Sequence, residues 1–489
     1  MLLGLDISTT ATKALILDPD GEVKAIGRSP HTLQTPRAGW SEQDPEEWWQ
    51  ATRQATEQAI ANAGCSPEDI RGIGLTGQMH GLVVLDSDHC VLRPAILWND
   101  GRSEAECHDI RTVLGLKELV RLTGNDAYAG FTAPKLLWMR RYEPDLYARV
   151  AHVLLPKDFI RLRLTGELAT DRAGAGGTLL LDIETRDWSK AVLDALDIPL
   201  SWMPPTHEGA DVTGMVSAQA SEAIGLPKGI PVVAGAGDQA AQAVGVGATT
   251  TDTFALTIGT SGVVFAPTIR PMVDAMGRTH AFPHAIPDLW HVMGVMLSAA
   301  GSLQWYRDAL APTVSFDTLM DEASRVPAGS DDIIFLPYLS GERTPHANAS
   351  ARGSFTGLSL AHGRAHMTRA VLEGVAFGLK DNLNLLAESG LSPPESLQAS
   401  GGALKHPLWQ RIVADVLEIP LVLTSVTEGA ALGAAMLAGL GIGHWDTIAE
   451  ATLTTLHDGP VVEPDDRVAA LHRETYARYR ALYPALNAE

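Results

Sequence analysis

Short apolar runs separated by polar turns open the chain and predict a meander of strands. The runs cover residues 2–6, 12–17 and 22–28, with a polar turn at 8–10 and a Pro-Asp-Gly turn at 19–21. Strands joined by turns this short are antiparallel, whereas a Rossmann domain begins with a strand, a helix and a parallel strand. The pattern therefore predicts a different kind of α/β domain.

A helix is predicted to follow the meander, from Pro45 to about Ala63. Asp44 supplies an N-cap, Pro45 fits the first helical position, and Glu47 stands at the third. Further strands and mostly helical sequence follow as far as about residue 226. The predicted strands are 70–75, 82–85, 95–98 and 231–234, and loops are predicted around 174–177 and 204–209.

The second half opens with the same pattern as the first. Residues 254–258 and 263–267 predict two strands, and the Gly-Thr-Ser-Gly turn at 259–262 joins them as the turn at 8–10 joins the first pair. A small polar segment, 248–253, separates the halves. We therefore expect a duplicated α/β unit, with domains 1–247 and 248–489 and a cleft between them, although any two β-hairpins look alike.

Composition narrows the class of protein. A chain of 489 residues exceeds what one hydrophobic core supports, which agrees with two domains. The formal charge of −21 argues against nucleic acid or an anionic membrane as a partner. The N-terminus does not resemble a signal peptide, and the uncharged apolar run 429–443 is too short to span a membrane. Three cysteines without metal-ligand spacing fit a reducing cytoplasm.

The sequence argues against two familiar nucleotide motifs. Gly235-x-Gly237-x-x-Ala240 imitates the dinucleotide-binding turn, but the following strand, 254–258, carries no acid for the ribose, and Asp238 would repel the pyrophosphate. A Walker A loop needs a Gly-Lys pair, and the sequence contains none. The stretch around Asp238 is better explained as a loop that presents one carboxylate.

Two hydroxyl-rich turns remain as candidate phosphate cradles. In residues 6–13, the Asp6 carboxylate stands at a strand end beside hydroxyls that include Thr10 and Thr12, and Lys13 follows. Residues 259–262 offer a second set of main-chain amides. Ser, Thr and Gly are also what hairpin turns ordinarily use, so each turn taken alone is weak evidence.

Five segments, taken in order, resemble the FGGY family of carbohydrate kinases, within the ATPase superfamily of actin, hexokinase and the heat-shock chaperones. The segments are LGLDISTTATKALILD, TGQMHG, LWNDGR, GDQAAQAVGVG and TIGTSG. The likeness extends over nearly the whole chain. It implies an α/β fold of two ribonuclease-H-like domains with an interdomain cleft, and it implies ATP and Mg²⁺ as co-substrate and metal.

The resemblance also implies roles for individual residues. Asp238 would be the catalytic base, and Asp6 would act with it by holding Mg²⁺ through water, with Asp238 as a further candidate ligand. The implied sugar-binding residues are Met79, His80, Asp238, Gln239 and Asn99. The implied nucleotide-binding residues are Thr10, Thr12, Lys13, Gly259, Thr260, Ser261, Gly401 and Gly402.

Structural alternatives stand beside several of these roles. Trp98 could belong to the core, and Arg102 could pair with Asp100. The glycines at 401–402 could simply turn the chain, and the Ala/Gly run 428–435 fits close helix packing first. His406 is a weaker candidate for the nucleotide site.

The expected substrate rests on sequence segments that are shared with some members of the family. Residues 41–49, 131–138 and 335–348 are similar to members that phosphorylate D-xylulose at its C5 hydroxyl. Ribulose and glycerol remain alternatives, as does a catalytically silent sugar sensor. A homodimer is the family's habit, and no residue supports it independently.

Overall fold

The computed structural model describes residues 1–424, 428–457 and 459–487, and the fold is α/β, as expected. The strands of the first half are β1 (Leu2–Ile7), β2 (Ala11–Leu17), β3 (Val23–Pro30), β4 (Glu42–Gln43), β5 (Gly72–Gly77), β6 (Val83–Leu85), β7 (Ala95–Ile96), β8 (His152–Leu154), β9 (Thr170–Asp171), β10 (Leu181–Asp182), β11 (Asp187–Trp188), β12 (Thr206–His207), β13 (Val212–Met215), β14 (Pro231–Val233) and β15 (Ala236–Gly237). Its helices are α1 (Pro45–Ala63), α2 (Glu104–Leu114), α3 (Leu116–Thr123), α4 (Thr132–Tyr142), α5 (Pro144–Tyr147), α6 (Pro156–Thr165), α7 (Arg172–Gly176), α8 (Lys190–Leu196), α9 (Ala218–Ile224) and α10 (Asp238–Gly245).

The second half continues the numbering. Its strands are β16 (Phe254–Ile258), β17 (Gly262–Thr268), β18 (His280–Pro283), β19 (Trp290–Met296), β20 (Ile334–Leu336), β21 (Ser354–Thr356), β22 (Leu397–Ser400), β23 (Leu421–Leu423) and β24 (Val461–Val462). Its helices are α11 (Ala300–Leu310), α12 (Phe316–Ala323), α13 (Arg364–Glu388), α14 (Pro407–Leu417), α15 (Gly429–Gly441), α16 (Ile448–Thr455) and α17 (Asp466–Leu486).

The first sheet is built on the predicted meander. Its strands lie in the order β13, β14, β5, β1, β2, β3, and β15 also pairs with β5. The pairs β1–β2 and β2–β3 are antiparallel, while β5 runs parallel to β1, β14 and β15. Because β1, β5 and β15 are mutually parallel through β5, their carboxyl ends meet at one edge of the sheet.

Helix α1 covers the outer strands of this sheet and has the predicted bounds. The Asp44 side chain accepts a hydrogen bond from the Glu46 amide at 3.0 Å, and Gly64 ends the helix in a left-handed conformation. Its buried face carries Trp48 and Ala55, which pack in the core under β1 and β2. The cap chemistry seen in the sequence therefore sets this helix.

The second sheet repeats the arrangement of the first. Its order is β18, β19, β17, β16, β22, β23, β24, with β16 antiparallel to β17 and parallel to β22. The strands β19, β17, β16, β22 and β23 thus correspond to β3, β2, β1, β5 and β14. The predicted strand 254–258 is β16, and the predicted strand 263–267 lies within β17.

One prediction for the first half is wrong. The loop expected around residues 174–177 is largely helical, because α7 runs from Arg172 to Gly176. The Asp171 side chain accepts a hydrogen bond from the Gly174 amide, and this cap outweighs the poor helix propensity of the glycines.

Within the described residues, none of the helices combines the length and apolar character that spanning a bilayer requires.

Helix α15 joins the two halves by packing directly on the first sheet and on α10. A Cβ atom placed on Gly433 would lie 1.9 Å from the Ala241 carbonyl oxygen, and one on Gly245 would lie 1.9 Å from the Gly429 carbonyl oxygen. On its other side α15 lies against β1 and β5, where a Cβ on Gly74 would meet the Ala434 carbonyl oxygen at 1.8 Å. The small residues of both helices thus permit contact between their backbones.

We predict that Gly433→Ala destabilises the protein. Alanine would favour the helix by about 1 kcal/mol, but the clash with the Ala241 carbonyl forces α10 and α15 apart. The net loss in unfolding free energy should be about 1–3 kcal/mol, measured by denaturant titration. Gly101→Ala is the control, because Gly101 is exposed, lies outside the helices, and a Cβ there would have only an ordinary contact, 3.7 Å from the Gly39 carbonyl oxygen. Equal stability of the two variants would contradict the packing argument.

Candidate active site

Two carboxylates lie where the parallel strands of the first sheet end. Asp6 on β1 and Ala236 on β15 are both in register with Thr76 on β5, and Asp238 begins α10 directly after β15. Gly235 makes this possible, because its φ is +70° and a Cβ there would lie 1.8 Å from the Leu75 carbonyl oxygen. Gly237, and not Asp238, occupies the N-cap position of α10, so the Asp238 side chain does not cap the helix.

Both acids have a raised pKa, and the Asp6 charge adds to the cost of ionising Asp238. Burial, together with the neighbouring Asp6 charge, raises the pKa of Asp238 from 3.8 to about 7, against the lowering effect of hydrogen bonds from Gln239. Burial also raises the pKa of Asp6 to about 6; Lys13 lowers it and Glu428 raises it further. A carboxyl with a pKa near neutrality can accept a proton at physiological pH and release it again.

Lys13 connects this edge of the sheet to the second half of the molecule. It lies directly opposite Asp6 in the β1–β2 pair, with Nζ 3.7 Å from Asp6 Oδ2. Its closer partner is Glu428 Oε2, at 2.5 Å, at the start of α15. The ammonium therefore lies between carboxylates of both halves, at the position where the phosphates of a nucleotide are expected.

The surroundings of Asp6 fit a hydrated Mg²⁺. Among the described residues, Asp6 Oδ1 is buried without a hydrogen-bond partner. Over the same ranges, no three His, Cys, Asp or Glu side chains come together in a way that could hold a metal ion. Mg²⁺ commonly binds through one or two carboxylates, keeps several waters and takes phosphate oxygens as further ligands, so a full protein cage is not needed.

His80 lies just after the end of β5, and its uncharged imidazole is held so that it can accept a hydrogen bond. Its Nδ1 lies 2.6 Å from the Gly177 carbonyl oxygen, which can only accept, so Nδ1 carries the proton and Nε2 is free to accept a hydrogen bond. Burial lowers the pKa of His80 to about 3, which keeps the ring uncharged. The ring stacks on Phe131 at 4.4 Å, and the residue has a strained φ of +71°.

The main chain at His80 is fixed from α4. Lys135 is fully buried, and its Nζ donates to the His80 carbonyl at 3.1 Å and to the Gly130 carbonyl at 2.7 Å. Thr132 Oγ1 donates to the same His80 carbonyl at 3.0 Å. These contacts hold the unusual backbone conformation at His80 in place.

Met79 lies between His80 and the start of α10, and Gln239 follows Asp238 on that helix. A Cβ on Gly237 would lie 2.7 Å from Met79 Cγ, and one on Gly177 would lie 2.8 Å from Met79 Cε. Met79 is buried, whereas Gln239 is partly exposed on the first turn of α10. The structure therefore brings Met79, His80, Asp238 and Gln239 into one region.

The segment after β7 borders the candidate site and contacts it through fewer side chains. Asn99 is exposed and Trp98 is 40% exposed, so Trp98 does not belong to the core. The Trp98 indole donates to Thr9 Oγ1 at 2.9 Å, which ties this segment to the turn after Asp6. Arg102 forms the pair with Asp100 that the sequence left open, with Nη2 and Oδ2 2.7 Å apart.

A cavity in the second half gathers candidate nucleotide residues. It has a volume of about 420 Å³, within the usual range for small-molecule sites, and Thr260, Gly402 and His406 are among its lining residues. Gly401 lines a neighbouring cavity of about 220 Å³. A larger cavity, of about 580 Å³, lies at the opposite end of β1 from Asp6.

The remaining nucleotide candidates occupy the two hairpin turns. Gly259 and Ser261 flank Thr260 between β16 and β17, and the Gly259 amide donates to the Ser261 carbonyl at 2.9 Å. Thr10 is exposed in the first turn. The Thr12 side chain is fully buried and bonded to His31 at 2.8 Å, on the opposite face of β2 from Lys13, so its hydroxyl is already used.

Two groups that contact the site residues were not predicted from the sequence. Glu428 could have been suspected, because it is a lone acid directly before a long apolar run. The Gly177 carbonyl could not, since it lies 97 residues from His80 in the chain and main-chain acceptors leave no mark in a sequence.

Comparison with known proteins gives a consistent result over the whole chain. The N-terminal and C-terminal domain models of the FGGY family of carbohydrate kinases match residues 1–245 and 254–442. The chain is 40% identical to a xylulose kinase of Escherichia coli (strain K12), covering 99% of this chain and 100% of the relative. It is 41% identical to a xylulose kinase of Klebsiella pneumoniae, covering 98% of each. A solved structure, a "xyloylose kinase" from Brucella ovis, superposes with a TM-score of 0.93 at 39% identity, covering 100% of this chain and 99% of that one.

We predict that Asp238→Asn raises the melting temperature more at pH 8 than at pH 5. The folded-state pKa of Asp238, about 7, lies above its ordinary value of 3.8, so the ionised form destabilises the fold. That penalty is complete above the folded pKa and shrinks as the pH falls through it, whereas asparagine carries none. Thermal melts of both proteins at the two pH values test this, and a gain that is equal or larger at pH 5 would rule out the assigned burial of charge.

Proposed function

The chain belongs to the FGGY family of carbohydrate kinases, and we propose that it transfers the γ-phosphoryl group of MgATP to the C5 hydroxyl of D-xylulose. The observation that carries the proposal is the joint placement of Asp238 and Asp6 at one sheet edge, with Asp238 titrating near neutrality. The choice of sugar is supported by the xylulose kinases of E. coli and K. pneumoniae that the chain resembles along its length.

Asp238 is proposed as the general base. Phosphoryl transfer passes through a loose transition state, so the protein contributes mainly alignment and charge stabilisation. The ionised carboxylate would take the proton of the attacking hydroxyl at a distance of about 2.6–3.2 Å. Its raised pKa suits this role, because the carboxylate is basic enough to accept the proton in the transition state.

The sugar would be bound mainly by neutral groups. His80 Nε2 can accept a hydrogen bond from a sugar hydroxyl, because Nδ1 is committed to the Gly177 carbonyl. Gln239 offers an amide beside Asp238, Met79 offers an apolar wall, and Asn99 is the exposed candidate on the opposite segment. Apart from the Asp238 carboxylate, these contacts are uncharged, which suits an uncharged sugar.

The phosphate end would be charged. Asp6 is proposed to hold Mg²⁺ through water, with Asp238 as a further candidate, and when bound the ion neutralises phosphate oxygens. Lys13 would turn its ammonium towards the terminal phosphates, flanked by Thr10. The turn 259–261 and the glycines at 401–402 would contact the rest of the nucleotide in and beside the 420 Å³ cavity.

We further propose that the protein is a cytoplasmic homodimer. The dimer is in line with the family, and the free cysteines Cys65, Cys90 and Cys107 are in line with a reducing cytoplasm.

The proposed substrate is tested by sugar-dependent ADP release. We expect D-xylulose to give the highest kcat/KM in a panel with ribulose and glycerol, and the product to carry phosphate on C5. A higher value for another member of the panel would reassign the sugar within the kinase class. Sugar binding without ADP release from any of them would favour the silent sensor instead.

Asp238→Asn should lower kcat by about 10²–10⁴-fold, because general-base assistance is lost, while sugar binding measured by calorimetry persists. In the wild type, kcat should fall as the pH drops below about 7, because a protonated Asp238 cannot accept the proton. Near-normal turnover of the variant, or a wild-type profile flat between pH 5 and 8, would refute the base assignment.

Asp6→Ala should act mainly on the metal. We expect a higher Mg²⁺ requirement and a higher KM for MgATP, with little change in sugar affinity. Because the Asp6 charge raises the pKa of Asp238, the acid limb of the pH profile should also shift to lower pH. An unchanged Mg²⁺ titration would show that Asp6 has only a structural role.

A further inference from the structure

Four charged side chains are buried together inside the first half. Lys157, Asp158 and Arg161 lie on α6 and Asp171 ends β9, and each is at most 1% exposed. Lys157 Nζ lies 2.5 Å from Asp158 Oδ1 and 2.6 Å from Asp171 Oδ1, so two cations face two carboxylates. Buried ion clusters are weak evidence for stability, because desolvation offsets the attraction. The contacts that leave the cluster are therefore more informative than those within it.

One contact leads to the strand before Asp238. The Arg161 guanidinium donates to the Val233 carbonyl at 2.8 Å and to the Ala234 carbonyl at 2.5 Å. On its other side, Arg161 Nε lies 3.8 Å from Asp158 Oδ1. The chain then turns at Gly235 and reaches Asp238 at the start of α10. Arg161 thus fixes the backbone at the end of β14, just before the Gly235 turn that leads to the proposed base.

Another contact leads to His80. Asp171 Oδ2 accepts from the Gly174 amide at 2.6 Å and caps α7. The Gly177 amide closes this short helix by donating to the Gly174 carbonyl at 2.9 Å, and the Gly177 carbonyl accepts from His80 Nδ1 at 2.6 Å. Asp171 therefore fixes the segment that orients the His80 ring.

We propose that this buried cluster is the positioning unit of the site: Arg161 positions Asp238, and Asp171 positions His80. The proposal rests on the proposed function, because it takes Asp238 as base and His80 as sugar contact. Tying both to one rigid, electrically balanced cluster keeps the base and the sugar in register. A misplacement of about 1 Å can cost about 100-fold in rate, so such support matters for turnover as well as for folding.

Arg161→Lys tests the first contact. Lysine keeps the positive charge but lacks the planar fork that holds two carbonyls at once. We expect kcat to fall by about 10–100-fold, with the sugar KM close to that of the wild type, because the base moves while the His80 side of the pocket stays.

Asp171 variants test the second contact. Asp171→Asn keeps a side-chain oxygen that can cap α7 but loses the charge facing Lys157, whereas Asp171→Ala loses both. We expect the sugar KM to rise in the order wild type, Asp171→Asn, Asp171→Ala, with a smaller effect on kcat than in Arg161→Lys.

Arg369→Lys is the matched control. Arg369 is a buried arginine of α13 in the second half, and it donates to Glu373 at 2.7 Å and to the Val326 carbonyl at 3.3 Å. Its replacement should lower the melting temperature and leave both kinetic constants of the folded enzyme unchanged. If the Arg161 and Asp171 variants behave in the same way, the cluster is merely structural and the proposal is overturned.

Failure of this proposal and failure of the proposed function give different experimental results. All variants are assayed with whichever sugar the wild type accepts, and sugar binding is measured by calorimetry without turnover. An active Asp238→Asn enzyme refutes the base assignment but leaves the sugar affinity of the Asp171 variants as a test. Should Arg161→Lys fail to fold, wild-type sugar affinity in both Asp171 variants overturns the proposal.

Discussion

The placement of two carboxyls in one poorly hydrated pocket is the constraint that this site has to satisfy. Asp6 and Asp238 both have a pKa raised chiefly by burial, and Asp238 is raised further by its neighbour. Burial and the repulsion between like charges oppose ionisation of the pair, whereas Lys13 beside Asp6 and the hydrogen bonds from Gln239 to Asp238 favour it. Lys13 faces Asp6 across the β1–β2 pair, and Arg161 holds the strand before Asp238. The groups that keep the two acids in place therefore come from β2 and α6 as well as from the strands that carry the acids.

The electrostatic character changes along the cleft. The His80 side chain itself is neutral, because burial keeps the imidazole uncharged, and it is packed against Phe131, while Lys135 donates to the His80 main chain. Around Lys13 the side chains are charged, with Asp6 and Glu428 on either side. The chain as a whole carries a formal charge of −21, so an incoming phosphate meets an unfavourable field everywhere except where a local cation or a metal offsets it. An uncharged sugar and a polyanionic phosphate would thus meet different groups in this site.

How far the sequence could predict the molecule depends on the range of the interactions involved. The strand β16 and the helix α1 have the predicted bounds, because apolar alternation and cap residues act within a few positions. The helix α7 was missed, because its Arg-Ala-Gly-Ala-Gly sequence lacks helix propensity and forms only with the cap from Asp171. The sequence could suggest Asp6 and Asp238 as site residues, and their roles stay predictions. The contact between His80 and Gly177 could not be anticipated, since it joins distant segments through a main-chain atom.

The packing of α15 bears on whether the two halves could be produced as separate fragments. In sequence, the halves meet in the short segment after α10, which looks like a natural place to cut. In space, α15 from the second half fills the face of β1 and β5, and its glycines touch the backbone of α10. A fragment that ended near residue 250 would leave that face of its sheet open to water, and the complementary fragment would expose an apolar helix with no surface to cover. The two sheets repeat one arrangement of strands, but the packing of α15 makes each half part of the other's core.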